Sequence, residues 1–226
     1  MQVVVLADGV AGSRAELDRA WPGWLESDAP VIAADGGARH ADGLGLRIDR
    51  WVGDGDSLGE DGSAALIAAG VPVDRAAPDK DESDTELAVR AALARQPASI
   101  VLLGALGGPR LDHALANFTL LSMPELVGID VRLVAPDARV RLLRGGDDVG
   151  RHGIVELDGR VDDLVTLLPV GGDAEGLTTE GLAYPLVDEP LLEGHTRGLS
   201  NRRSAPVARV RLRRGRVLVI ETPATL

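Results

Sequence analysis

The chain has 226 residues, 45% of them hydrophobic and only 2% aromatic, with no cysteine and a formal net charge of −11. That hydrophobic content excludes a wholly disordered chain, and the length suffices for one large domain or two small ones, while the missing cysteine excludes disulfides, thiolate nucleophiles and cysteine-based zinc sites. The acidic balance argues against a nucleic-acid partner, because that binding rests on neutralising phosphates with Lys and Arg, but it leaves room for a metal-loaded nucleotide.

Met1–Ala7 is an apolar run ending at Asp8, too short and without the basic segment of a signal peptide. No apolar stretch approaches the ~20 residues that cross a membrane, so the expected location is the cytoplasm. Gln2–Leu6 reads as a buried strand. Ser13–Trp24 reads as a helix, with Ser13 as N-cap and Glu16 completing a capping box. Pro30–Ala34 is a second strand ending in Asp35-Gly36-Gly37, and Ala38–Leu44 a helix after those glycines. Trp51–Val52 ends a strand that runs into Gly53-Asp54-Gly55-Asp56-Ser57. Gly62–Ala69 is helical with Gly70 as its stop, and Val71–Asp74 is another strand. Ser83–Arg95 is the clearest helix, capped by Ser83, with Leu87, Ala91 and Leu93–Ala94 as its apolar side and Pro97 closing it. Ser99–Leu103 is a strand, Leu111–Leu121 a helix and Asp130–Val134 a strand. Strand–helix alternation over residues 1–136 predicts an α/β domain with a parallel sheet.

After Pro136 the pattern changes. Val140–Leu143, Gly153–Leu157, Leu164–Pro169, Val207–Arg213 and Arg216–Glu221 are short, alternating and bounded by Gly, Asp or Pro. Residues 137–226 therefore read as an antiparallel sandwich or roll, with Arg213-Arg214-Gly215-Arg216 as a hairpin turn between the last two strands.

Open α/β sheets bind ligands at the carboxyl ends of their strands. Four acidic or glycine-rich segments fall there and are expected to converge on one rim: 35–37, 54–57, 78–84 and 107–113. Asp54 and Asp56 lie two apart, so in an extended segment both carboxylates approach one hard cation; the alternative is a turn with solvated carboxylates. Asp84 opens a helix, which the dipole favours without any ligand. Asp79, Asp81, Glu82 and Asp84 crowd four acids into six residues, a cost that a cation offsets. Lys80 among them is either a local counter-charge or a phosphate contact. Gly107-Gly108 before Arg110 lets the backbone approach a phosphate while the guanidinium supplies a planar fork. Asp112 and His113 open the next helix, where Asp112 could simply cap it. Neither a Walker A pattern nor a Gly-x-Gly-x-x-Gly after the first strand is present, so a P-loop enzyme and an ordinary dinucleotide binder are unsupported.

Together these segments resemble the thiamine pyrophosphokinase family. The family's Ala-Asp-Gly-Gly-Ala stands here as Ala34–Ala38, its Gly-Asp-x-Asp-Ser as Gly53–Ser57, and its Asp-rich segment as Asp79-Lys80-Asp81-Glu82-Ser83-Asp84. Its Gly-Gly-Arg-x-Asp-His stands as Gly107-Gly108-Pro109-Arg110-Leu111-Asp112-His113, with Asn117 following. Gly181–Leu186 and Gly198–Asn201 look like its thiamine-side segments. The resemblance implies a Rossmann-like α/β domain (1–136) that binds ATP and Mg2+, a thiamine-binding β-sandwich (137–226), and a homodimer with each active site at the subunit interface. It implies Asp54, Asp56 and Asp84 as Mg2+ ligands. Asp35, Lys80, Arg110 and Asp112, with Gly36, Gly37, Gly107, Gly108 and Asn117, would form the nucleotide and diphosphate site. Tyr184, Ser200 and Asn201 would face thiamine. Three features depart from the family pattern: Gly55 between the two aspartates, the extra Pro109, and Arg202 after Asn201, with Tyr184 standing where some members carry Trp.

The implied reaction is attack of the thiamine hydroxyl on the β-phosphorus of ATP, with AMP leaving and an aspartate near the metal accepting the proton. Two alternatives are a related diphosphokinase acting on another alcohol, such as a pterin, and a non-catalytic protein that binds thiamine or a nucleotide.

Overall fold

The computed structural model describes residues 1–77, 79–146 and 153–224. It divides into two compact units, Met1–Pro136 and Asp137–Leu226.

The first unit holds six strands: β1 (Gln2–Leu6), β2 (Val31–Ala34), β3 (Arg50–Gly53), β4 (Val73–Arg75), β5 (Ser99–Leu103) and β6 (Asp130–Ala135). All pair in parallel, in the spatial order β6-β5-β1-β2-β3-β4. β1 and β2 are buried along their whole length, as a sheet covered on both faces requires. The chain winds outward from β1 to β4 and then restarts at β5 on the other side of β1. The strand order thus reverses at β1, and a crevice opens beyond the carboxyl ends of β1 and β5.

The helices are α1 (Arg14–Ala20), α2 (His40–Leu44), α3 (Gly59–Ala68), α4 (Asp84–Leu93) and α5 (Leu111–Leu120). α1 begins as expected: Ser13 Oγ accepts the Glu16 N–H at 3.3 Å, and the Glu16 carboxylate accepts the Ser13 N–H at 2.8 Å. It ends at Ala20 rather than Trp24, because Pro22 disfavours helical backbone at Trp21. The Trp21 indole then donates to the Ala135 carbonyl at 2.8 Å, tying the helix end to β6. α4 is capped by Ser83, but its buried side is Ala88, Val89 and Ala92; Leu87 and Leu93 are only partly covered and Ala94 is exposed. Small residues face inward because α4 packs closely over β1, β2 and β3.

The second unit is an antiparallel sandwich. One sheet runs β12-β9-β14-β7 and the other β11-β10-β13-β8, from β7 (Ala138–Arg144), β8 (Gly153–Asp158), β9 (Leu164–Pro169), β10 (Ala174–Glu180), β11 (Glu189–Leu191), β12 (Asn201–Arg202), β13 (Val207–Leu212) and β14 (Arg216–Thr222). Leu143, Val165, Leu167, Val217 and Val219 of the first sheet share a core with Leu157, Leu177, Ala208, Val210 and Leu212 of the second. Three strands, β10 to β12, escape the sequence reading. β10 is interrupted by a bulge at Gly176, whose φ is +69°, and otherwise reads as a polar stretch. Residues 213–216 are not a hairpin turn. β13 pairs with β8 and β10 while β14 pairs with β7 and β9, so this turn carries the chain from one sheet to the other.

Glu221 lies in this core at 1% exposure. Its carboxylate accepts from Arg139 at 2.8 and 2.9 Å, from Arg203 at 2.7 Å and from Arg141 at 3.4 Å. Arg203, also 1% exposed, donates its other amino group to the Leu157 carbonyl of the facing sheet at 2.6 Å. Burial alone would push the Glu221 carboxyl up; Arg139, joined by Arg141 and Arg203, outweighs it and holds the group below the usual glutamate range.

Candidate active site

The crevice at the end of β1 and β5 is a cleft of about 300 Å³. The expected segments reach it: Asp35 and Ser57 from beyond β2 and β3, Lys80 and Glu82 to Thr85 ahead of and into α4, and Gly107 to Arg110 with His113 at the start of α5. The turn after β1 also contributes, through Asp8 and Gly9. The sequence marked Asp8 only as the end of the apolar run, and the adjacency of β1 to both β2 and β5 is what brings it in.

Asp35 is 3% exposed and has a φ of +38°. Its two oxygens accept the backbone N–H groups of Ser57 at 3.0 Å and Leu58 at 3.2 Å, so it holds the loop after β3. The buried Trp51 indole donates to the Asp35 carbonyl at 3.0 Å and fixes the backbone beneath it. Gly36 and Gly37 lie buried behind Asp35 rather than lining the cleft. A Cβ on Gly37 would stand 2.2 Å from the Leu6 carbonyl oxygen, and one on Gly36 2.4 Å from the Asp8 carboxylate. Gly37→Ala is therefore expected to cost about 1–3 kcal/mol through a forced backbone shift, measurable by denaturant unfolding. An unchanged midpoint would mean that β1 yields freely.

Asp35, Asp54 and Asp84 each place one carboxylate oxygen within 4.8 Å of the others. Asp56 is exposed and is not one of this trio, yet its carboxylate lies within hydrogen-bonding reach of the Asp35 and Asp54 carboxyls, and it accepts the Ser57 hydroxyl at 3.1 Å. The segment is not extended. Asp54 Oδ1 accepts the Asp56 N–H at 3.0 Å and Gly55 sits at a φ of +90°, so a turn, not an extended strand, brings the two carboxylates side by side. Gly55 suits that conformation, which disfavours residues with a Cβ.

Lys80 Nζ lies 2.9 Å from Asp54 Oδ2 and 3.0 Å from Asp84 Oδ1. Its hydrogen bond to Asp54 holds that carboxyl below the usual aspartate range. Asp84 is pushed up by burial, with Lys80 opposing and the charges of Asp54 and Asp56 adding to the rise. Asp35 is likewise raised by burial, against the two backbone N–H groups it accepts. Asp84 Oδ1 is buried and has no aligned hydrogen-bond donor, although the ammonium is near. Three converging hard oxygens, two of them on carboxyls that disfavour their own charge, fit a Mg2+-type cation.

On the other side of the cleft Gly107 and Gly108 have φ of +71° and +87°, conformations that bare the backbone. Arg110 and Asp112 form an ion pair at 2.6 Å, each 64% exposed, and the guanidinium holds the Asp112 carboxyl well below the usual range. Asn117 is buried, and its amide donates to the Ala105 carbonyl at 2.8 Å. It thus positions the loop after β5 from within α5. Arg39, which sequence reasoning missed, pairs with Asp8 at 3.2 Å and also donates to the Ser57 carbonyl, tying the turn after β1 to the loop after β3.

In the second unit Tyr184 is 73% exposed. Its N–H donates to Asn201 Oδ1 at 3.0 Å, and Asn201 Nδ2 donates to the Tyr184 carbonyl at 2.7 Å. Ser200 has a φ of +57° and donates its N–H to Thr166 Oγ1 at 2.9 Å. These three expected thiamine contacts are thus fixed to one another and to β9. Arg202 turns to Asp162 at 2.9 Å.

Two family models match the chain. Residues 23–133 match the thiamin pyrophosphokinase catalytic domain, and residues 151–217 match the thiamin pyrophosphokinase vitamin B1 binding domain. The chain belongs to the thiamine pyrophosphokinase family. A thiamine pyrophosphokinase of Bacillus subtilis is 28% identical over 195 residues, which is 85% of this chain and 86% of that one. The crystal structure of thiamine pyrophosphokinase from Bacillus subtilis covers 100% of both chains at 25% identity and a TM-score of 0.83. That from Geobacillus thermodenitrificans covers 98% of this chain and 97% of its own at 25% identity, with a TM-score of 0.79. Thiamine pyrophosphokinase membership accounts for the pairing seen here, an α/β unit with an acidic cleft followed by an antiparallel sandwich.

Proposed function

We propose that the chain transfers the diphosphate of ATP to the hydroxyl of thiamine, giving thiamine diphosphate and AMP. The carboxylate trio of Asp35, Asp54 and Asp84 at the carboxyl end of the parallel sheet, in a chain of this family, carries the reading. Asp54 and Asp84, with Asp35 behind them and Asp56 at the rim, would hold Mg2+. When bound, the ion neutralises and orients the polyphosphate oxygens. Lys80 and Arg110 bind phosphate oxygens and offset the charge that builds up in transfer. The bared backbone of Gly107 and Gly108 lets the polyphosphate lie close to the loop, and Asp112 holds the Arg110 fork in place. Tyr184, Ser200 and Asn201 contact thiamine, the Tyr184 ring offering a face for the pyrimidine. We extend the proposal to a homodimer with the active site at the subunit interface and to a cytoplasmic location. Among the described residues no helix is long and apolar enough to cross a membrane.

The test is incubation of purified protein with ATP, Mg2+ and thiamine. AMP and thiamine diphosphate are expected in equal amounts, and EDTA is expected to abolish both. Thiamine binding with no turnover would replace the proposal with a sensor; no thiamine binding would redirect it to another alcohol.

A further inference from the structure

Lys80 is the cationic group closest to the carboxylate trio. Its ammonium contacts two of the three acids, Asp54 and Asp84, at 2.9 and 3.0 Å. The lysine and Asp54 side chains are each 13% exposed, so the contact is largely withdrawn from solvent screening. An ammonium and a divalent ion cannot both sit against the same two oxygens without strong repulsion. The four-carbon stem of lysine lets the charge re-aim without backbone movement, and Lys80 also lines the cleft.

We infer that Lys80 is an internal counter-cation that competes with the divalent metal for Asp54 and Asp84 and yields them when nucleotide phosphates take its ammonium. The inference rests on the acidic trio being the metal site. Metal alone must evict the lysine, so it binds weakly. Metal with nucleotide meets a lysine that has a better partner, so the two bind cooperatively. One side chain thus makes the cleft selective for the metal–nucleotide complex over the free ion.

The experiment is calorimetric titration of Mg2+ into wild type, Lys80→Met and Lys80→Gln, with and without α,β-methylene-ATP, whose α–β bridge cannot be cleaved. Without nucleotide, both variants are expected to bind Mg2+ about tenfold more tightly than wild type. With the analogue the order is expected to reverse, because the variants lose the phosphate contact. A lysine that merely supports the fold would weaken both titrations and would not invert them. The inference is overturned if neither variant gains affinity for Mg2+ alone. Asp84→Asn separates the two failures. If it binds Mg2+ and analogue as wild type does, the metal site itself is misassigned and the inference falls with it. If it loses that binding while the Lys80 variants gain nothing, only the inference falls.

Discussion

Asp54→Asn is expected to reduce diphosphate transfer by about a hundredfold or more at saturating Mg2+, followed as AMP and thiamine diphosphate formed. The substitution keeps the shape of the side chain. It also keeps an oxygen that can accept the Asp56 N–H, now received by Asp54 Oδ1 at 3.0 Å, so the turn after β3 has little reason to change. What disappears is one negative charge out of the trio with Asp35 and Asp84. Asp56→Asn is the informative partner. Its carboxylate lies beside those of Asp35 and Asp54 but is more exposed, so its loss is expected to cost less than that of Asp54, on the order of tenfold. Equal losses at both positions would mean that Asp56 holds the cation as fully as Asp54 does. Near wild-type turnover in Asp54→Asn would remove the metal assignment altogether.

The surroundings of these two aspartates mark where sequence reading stops. The four segments that reach the cleft were legible, because strand ends, glycines and clustered acids are local features and the order of parallel strands forces their ends to one side of the sheet. The capping box at Ser13 and Glu16 was legible for the same reason. Which further carboxylates join Asp54 and Asp56 was not. Those two are neighbours in sequence and a turn at Gly55 keeps them together, whereas Asp35 arrives from the adjacent strand β2, a tertiary fact. Asp8 and Arg39 belong to the same class, since their contact spans 31 residues. In the second unit, alternation found the strands with unbroken pattern and missed β10, whose bulge breaks it. The turn at 213–216 was read as a hairpin because its residues permit one, whereas sheet assignment depends on which strands lie alongside.

Glu221→Gln is expected to lower stability by about 3–5 kcal/mol, because it leaves the buried Arg203 guanidinium facing a neutral amide in the sandwich core. Denaturant unfolding of the whole chain measures it. The pH dependence separates lost charge from lost packing. Glu221 has a folded pKa below its unfolded value, so its contribution is fully present above about pH 4.3 and is lost as the pH falls through the lowered folded value. The gap between wild type and Glu221→Gln is therefore expected to be constant from neutral pH down to about pH 5 and to narrow below about pH 4. A gap of the same size at every pH would assign the cost to packing and geometry. That result would make the carboxylate's charge irrelevant to the core, and the three arginines around it would then be held by their other contacts, such as the Leu157 and Asp158 carbonyls that Arg203 and Arg139 already reach.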